Sequence, residues 1–379
     1  MSQSRVRHSD IEVGKALPWD VCDEKGTLLL RKGFIVSNEG QVDRLVAVGV
    51  FADSKALQQS RLEQLEAQEE DEKDSGNFAQ DWMDLRKKVE LVYSQLEANI
   101  QSGQFIARIT EIAKDVDALA SVKPELAQAI ISLRQEGRYS TRHLLDTATI
   151  VKLAARAQKL SPAKEMGLIC AALTMNLGSI DFQDEIKSQV SPLTDEQREQ
   201  LHRHPEEATA KLKSIGVNDP IWLRAVLEHH EHFDGSGYPN GLSGTEVSAE
   251  GQLLRLADMY CARITFHEYR SAVPLTVALR GILLERGKTV DQTLAAHFIH
   301  ALGVFPPGLQ LRLANGEKGV VVRAGSSPNH PIVCSLIGAD GEPMSPPEYR
   351  DTQIKIFGVG ETIDPATFNA YVDLDMIWG

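Results

Sequence analysis

Positive charge is in short supply: 40 lysines and arginines face 53 aspartates and glutamates, a formal net charge of -13 at pH 7. That balance excludes wholesale attraction to nucleic acid polymers or to an anionic membrane surface, and leaves room only for a local basic pocket that takes a small anion. Cysteine is scarce too. Cys22, Cys170, Cys261 and Cys334 stand far apart with no Cys-x-x-Cys pair, and three of them fall in apolar runs, so they read as core residues of a reduced compartment. No uninterrupted apolar run reaches the ~18 residues that a membrane span requires, and the opening MSQSRVRHSDIEVG has no apolar stretch of signal-peptide type. A cytoplasmic protein without a membrane span is expected. There is no internal repeat. What remains is ordinary globular material: 379 residues, 42% hydrophobic and 25% charged, enough for two or three domains and a sizeable core.

Patterning divides the chain into four stretches. Residues 1–54 carry short β-rich runs, Thr27 to Leu30 and Gly33 to Val36, punctuated by Asp23-Glu24-Lys25-Gly26 and Arg31-Lys32, and read as a small β-containing unit. Residues 55–81 are rich in Gln and Glu and poor in apolar residues. With Glu69-Glu70-Asp71-Glu72 and Asp74-Ser75-Gly76 they read as an acidic, solvated linker. Over 82–303 apolar residues recur at spacings of three and four, as in Leu85, Val89, Val92 and Leu96 and again in Ile106, Ile109 and Ile112, which predicts a helix bundle. Over 304–379 the period changes to two: Leu309, Leu311 and Leu313, an Asn315-Gly316 turn, then Val320 and Val322 predict a hairpin in a C-terminal β extension. The expected fold is therefore mainly α with β units at both ends.

Chemistry concentrates in Glu228-His229-His230-Glu231-His232-Phe233-Asp234-Gly235-Ser236-Gly237-Tyr238-Pro239. Adjacent histidines at a helix end, followed by a carboxylate and a Gly-rich loop, set imidazole ligands beside backbone that a ligand can approach closely. Two solvent-facing histidines before an ordinary turn explain the same residues equally well.

The segment resembles the His-His-Glu-x-x-Asp-Gly-x-Gly-Tyr-Pro signature of the HD-GYP family, bacterial phosphodiesterases that linearise and hydrolyse cyclic di-GMP. The similarity runs from about Tyr139 to Ala272. It implies an HD-type helix bundle and places metal ligands at His143, His204, His229, His230 and Asp258. It makes Asp234, Gly235, Gly237, Tyr238 and Pro239 a loop for ligands or partners, and gives Arg263, Tyr269 and Arg270 a role in dinucleotide binding. Where the family carries its His-Asp pair and a following lysine, however, this chain has Met175, Asn176 and Ser179. A thioether is a poor ligand for hard divalent cations, and a neutral amide does not bridge two of them as a carboxylate does. Met175 and Asn176 read more simply as a core methionine and a helix C-terminal asparagine. Asp181 and Asp184, just downstream, fall too far around a continuing helix to replace Asn176.

Three functions follow from the resemblance. The first is a degenerate, catalytically inactive HD-GYP module in cyclic di-GMP signalling, binding the dinucleotide or signalling proteins through the Gly235 to Pro239 loop. The second is a metal-dependent cyclic di-GMP phosphodiesterase of residual activity. The third is an oligomerisation scaffold, with a homodimer as its simplest form. One divalent metal (iron, manganese or zinc) or none is the expected cofactor content.

Overall fold

The computed structural model describes all residues except 1–2, 7–9, 12, 54–55, 57–77, 98–101, 190 and 266–273, so most of the acidic stretch expected as a linker lies outside the described residues. The chain falls into two compact units, Met1–Gly76 and Asn77–Gly379.

The first unit is built on a four-stranded antiparallel sheet of order β1-β4-β2-β3: β1 (Gln3–Arg5), β2 (Val21–Cys22), β3 (Leu28–Leu30) and β4 (Phe51–Asp53). A helix that sequence periodicity did not announce, α1 (Glu39–Val48), precedes β4. Asn38 caps it by accepting from the Gln41 backbone N–H, and Gly49 ends it at φ 74°, a left-handed conformation that suits glycine. Val21, Val36, Val42 and Val50, all fully buried, knit sheet and helix together. The run Gly33 to Val36, expected as a strand, is corrected to a single bridge between Ala16 and Ile35, held by backbone hydrogen bonds to Gly14 and Leu17, with Phe34 and Ile35 pointing to solvent.

The second unit holds the helices α2 (Phe78–Glu97), α3 (Ser102–Val122), α4 (Pro124–Leu133), α5 (Tyr139–Ala157), α6 (Pro162–Thr174), α7 (Ile180–Ser188), α8 (Asp195–Ser214), α9 (Pro220–Glu228), α10 (Ala249–Ile264), α11 (Leu275–Glu285) and α12 (Gln292–Leu302). Helical structure begins at Phe78, four residues before the expected start, because Phe78 and Trp82 are both buried and stack at 6.3 Å. The four-residue spacing from Leu85 to Val89 and the three-residue step on to Val92 put one apolar stripe of α2 into the core. Helix α5 is the spine: every residue from Ser140 to Ala155 is buried, and it packs on α3, α6, α10 and α12. None of the described helices is long and apolar enough to cross a membrane.

Beyond α12 the chain forms a five-stranded antiparallel sheet of order β8-β7-β6-β5-β9 from β5 (Gln310–Leu313), β6 (Lys318–Ser327), β7 (His330–Ile337), β8 (Pro343–Asp351) and β9 (Val359–Thr362). The predicted hairpin is β5–β6, paired Gln310 to Val320 and Arg312 to Lys318, with Gly316 at φ 93° in the turn. Leu311, Leu313, Val320 and Val321 join the same apolar core as the helices, so this extension is welded to the bundle. A last helix, α13 (Leu374–Trp378), docks through the Trp378 indole N–H, which donates to the Val322 carbonyl at 3.0 Å.

A three-histidine cluster and its supporting loop

Helix α9 starts at Pro220, with Asp219 capping Ile221 and Trp222, and runs in helical register to His229 at its C-cap, which fixes where the two adjacent histidines stand. Helix α8 begins with a reciprocal capping box between Thr194 and Gln197 and carries His204 inward, one residue before Pro205. The result is a cluster: ligand nitrogens of His204, His229 and His230 all lie within 4.8 Å of one another.

Hydrogen bonding decides which nitrogen faces which. A carbonyl only accepts, so His204 Nδ1, 2.5 Å from the Leu201 carbonyl, and His229 Nδ1, 2.7 Å from the Val226 carbonyl, carry the protons. Both Nε2 atoms are then bare in the neutral rings, and they face each other at 3.2 Å. Burial pushes the His204 pKa down to about 3 and lowers that of His229. His230 is likewise driven well down by burial, reinforced by its two histidine neighbours. Two lone pairs aimed at each other at this distance repel unless a cation lies between them, and three neutral imidazoles are a donor set for borderline divalent metals. The residues present fit such an ion.

The other two expected ligands make a pair of their own. His143 Nε2, on α5, lies 2.7 Å from Asp258 Oδ1, on α10. Burial works to raise the Asp258 pKa, but its hydrogen bond to His143 holds it below the usual carboxylate range. Asp258 thus acts electrostatically on the cluster from beside it. Among the described residues only the three histidines form a metal-ligand group.

Met175 and Asn176 lie at the end of α6. Met175 is fully buried in the bundle core, and the Asn176 carbonyl accepts from the N–H (2.9 Å) and hydroxyl (3.0 Å) of Ser179 in the turn into α7. Asp184 is taken by Arg138 (2.6 Å) and by the Ser140 backbone, while Asp181, largely exposed, also pairs with Arg138. Neither supplies a carboxylate to the histidines.

The loop after the histidines is held from inside. Glu231 is fully buried, and its carboxylate accepts the Asn240 N–H at 2.6 Å and the Leu242 N–H at 2.9 Å. Gly235 takes φ 82°, and a Cβ at Gly237 would stand 2.3 Å from the His232 nitrogen and 2.5 Å from the His230 carbonyl oxygen, so only glycine fits there. Tyr238 is sandwiched between His230 (4.7 Å) and His202 of α8 (4.3 Å), both stacked. Sequence order alone did not reveal that sandwich, nor the inner role of Glu231. Of the residues expected to bind a dinucleotide, Tyr269 and Arg270 lie outside the described residues, and Arg263 is tied to Glu285 at 2.5 Å. Arg255 was also missed, although an arginine within Leu253-Leu254-Arg255-Leu256, three residues before Asp258, is an anomaly in an apolar run.

Residues 106–294 match the family described as HD domain. The cyclic di-GMP phosphodiesterase PA4108 of Pseudomonas aeruginosa is 25% identical over 301 residues, covering 77% of this chain and 71% of that protein. The cyclic di-GMP phosphodiesterase response regulator RpfG of Xanthomonas campestris pv. campestris is 30% identical over 144 residues, and this chain spans only 38% of its length. A solved structure of an "HDGYP" protein from Bdellovibrio bacteriovorus shares the fold, with a TM-score of 0.50 at 17% identity over 79% of this chain and 99% of that one.

Proposed function

The helical part of this chain is an HD domain of the HD-GYP family, and from that premise we propose that it is a cyclic-dinucleotide-binding module that holds one divalent cation and does not hydrolyse its ligand. The observation that carries this reading is the pairing of a ready three-histidine group with Met175 and Asn176: the former offers neutral nitrogens to one ion, the latter offer no carboxylate to join a second. His204, His229 and His230 would hold the cation, which when bound supplies Lewis-acid polarisation of a phosphoryl oxygen. Hydrolysis of a phosphodiester by a two-metal centre needs both ions to share the developing charge, and a buried methionine and an amide do not assemble that centre.

The chain's own residues then do the work of binding. The Leu201 and Val226 carbonyls hold His204 and His229 in the tautomer that presents Nε2, and Tyr238 orients His230 by stacking. The braced loop from Asp234 to Pro239 is the docking face for signalling partners, its shape set by Glu231 rather than by whatever it binds. The test is elemental analysis of the purified chain by inductively coupled plasma mass spectrometry, beside cyclic di-GMP binding and hydrolysis assays with added iron or manganese. Binding with at most one metal per chain and no turnover is expected. Two or more metals with turnover would overturn the reading and establish an active phosphodiesterase.

A further inference from the structure

Among the described residues Arg255 has no hydrogen-bonded carboxylate partner. It is 7% exposed, and its Nη1 is buried with no hydrogen-bond partner among the described residues. Among the described residues its nearest carboxylate is Glu285, 3.8 Å from Nη2, too long for a hydrogen bond. Glu285 is moreover already engaged, with Oε1 at 2.5 Å from Arg263 and Oε2 accepting the Thr289 hydroxyl at 2.9 Å. A guanidinium stays charged in a protein interior, and burying it without full pairing is strongly unfavourable.

On α10, residues 255 and 258 are three apart and share a face, so Arg255 stands beside Asp258 and hence beside the His143 pair. Its positive charge bears on His230, His232 and Tyr238, which brackets the histidine cluster and its loop. The carboxylates acting on it, Glu285, Asp258 and Asp234, are themselves bonded to Arg263 and Thr289, to His143, and to Ser236 respectively. Three neutral imidazoles and an under-paired guanidinium describe a receptor for an anion.

We propose that Arg255 is the anion-recognition residue of this site, its buried fork donating to a phosphoryl oxygen of the ligand held at His204, His229 and His230. The proposal rests on reading that cluster as a phosphoester-binding site, and it adds the residue that sets charge selectivity. Arg255 positions the phosphoryl group and takes no part in bond making. Its fixed geometry suits two parallel hydrogen bonds to one phosphate, which a lysine does not reproduce.

The experiment is isothermal titration of the full metal-loaded chain with inorganic phosphate and, separately, with cyclic di-GMP. Wild type is compared with Arg255→Gln and Glu285→Gln, and metal content is measured in each. Arg255→Gln is expected to weaken phosphate binding about tenfold or more with unchanged metal content, the loss of a charge-assisted hydrogen bond. Glu285→Gln removes the carboxylate nearest the guanidinium and is expected to tighten phosphate binding severalfold, a change that damage to the fold does not produce. Should Arg255→Gln prove unfolded, this second variant decides alone, and absence of tightening overturns the proposal. Equal phosphate affinity in wild type and Arg255→Gln, or no phosphate binding by wild type, overturns it as well. Phosphate binding that depends on Arg255 in a chain that ignores cyclic di-GMP upholds the role of Arg255 and sinks the dinucleotide reading.

Discussion

Acid should unfold this protein through its histidine cluster, and His204 allows the effect to be sized. An unfolded imidazole takes up its proton as pH falls through about 6.5. In the fold, burial keeps His204 bare down to about 3. Between those values the unfolded chain binds the extra proton, so this contribution to stability is complete above about pH 6.5 and is lost progressively as pH falls towards 3. For one such residue the loss between pH 7 and pH 5 is about 2 kcal/mol. His229 and His230, both lowered by burial, act in the same direction. That is a serious share of a total stability of roughly 5–15 kcal/mol. The assay is urea unfolding of chelator-treated protein at pH 5 and pH 7, wild type against His204→Asn, which removes the titrating ring. The pH-dependent loss should shrink by at least about 2 kcal/mol in the variant, since His204 also helps to hold the His230 pKa down. Equal losses in both proteins would refute the argument that the buried, bare imidazole is what acid attacks.

Gly237→Ala drives a methyl group into the backbone of His230 and His232, so the loop must move. Thermal unfolding should report a destabilisation on the order of 2 kcal/mol, with reduced metal content by elemental analysis. Glu231→Gln turns one acceptor of the buried carboxylate towards a backbone donor as an NH2 group. It should cost about 1–3 kcal/mol in chemical denaturation and loosen the loop in amide hydrogen exchange. The double substitution Met175→His/Asn176→Asp restores the pair that the family resemblance expects. It should raise metal content above one per chain and bring cyclic di-GMP hydrolysis above background, and an unchanged metal count would place the cause of silence elsewhere.

Much of this architecture was legible in the residues because local period and burial agree. Leu85, Val89 and Val92 announced α2, and alternation around Asn315-Gly316 announced the β5–β6 hairpin. The N-terminal unit read less well. Its strands are two or three residues long, too short for alternation to register, and Gly33 to Val36 had β-like composition but bridges the Gly14 to Leu17 segment only at Ile35. At the site, the family resemblance singled out His204, His229 and His230, where adjacency alone left the last two as ordinary polar residues, and the structure brings the three together. What order does not encode is which groups meet in space. His143 turned to Asp258 rather than to the other histidines, and Tyr238 found His202 on a different helix. Arg255 was legible only as a charged residue in the apolar run Leu253 to Leu256, and the sequence does not say that it lies buried beside the site.

The histidine cluster draws one ligand from α8 and two from the end of α9. An ion seated there is therefore a cross-link as well as a binding site, closing the loop of about 25 residues between His204 and His229. By the chain-entropy argument used for covalent bridges, fixing a loop of that length withdraws roughly 3.5 kcal/mol of freedom from the unfolded chain. The bundle would then resist unfolding in proportion to the supply of metal, and a cell that starves of the ion would lose part of the protein along with its occupancy.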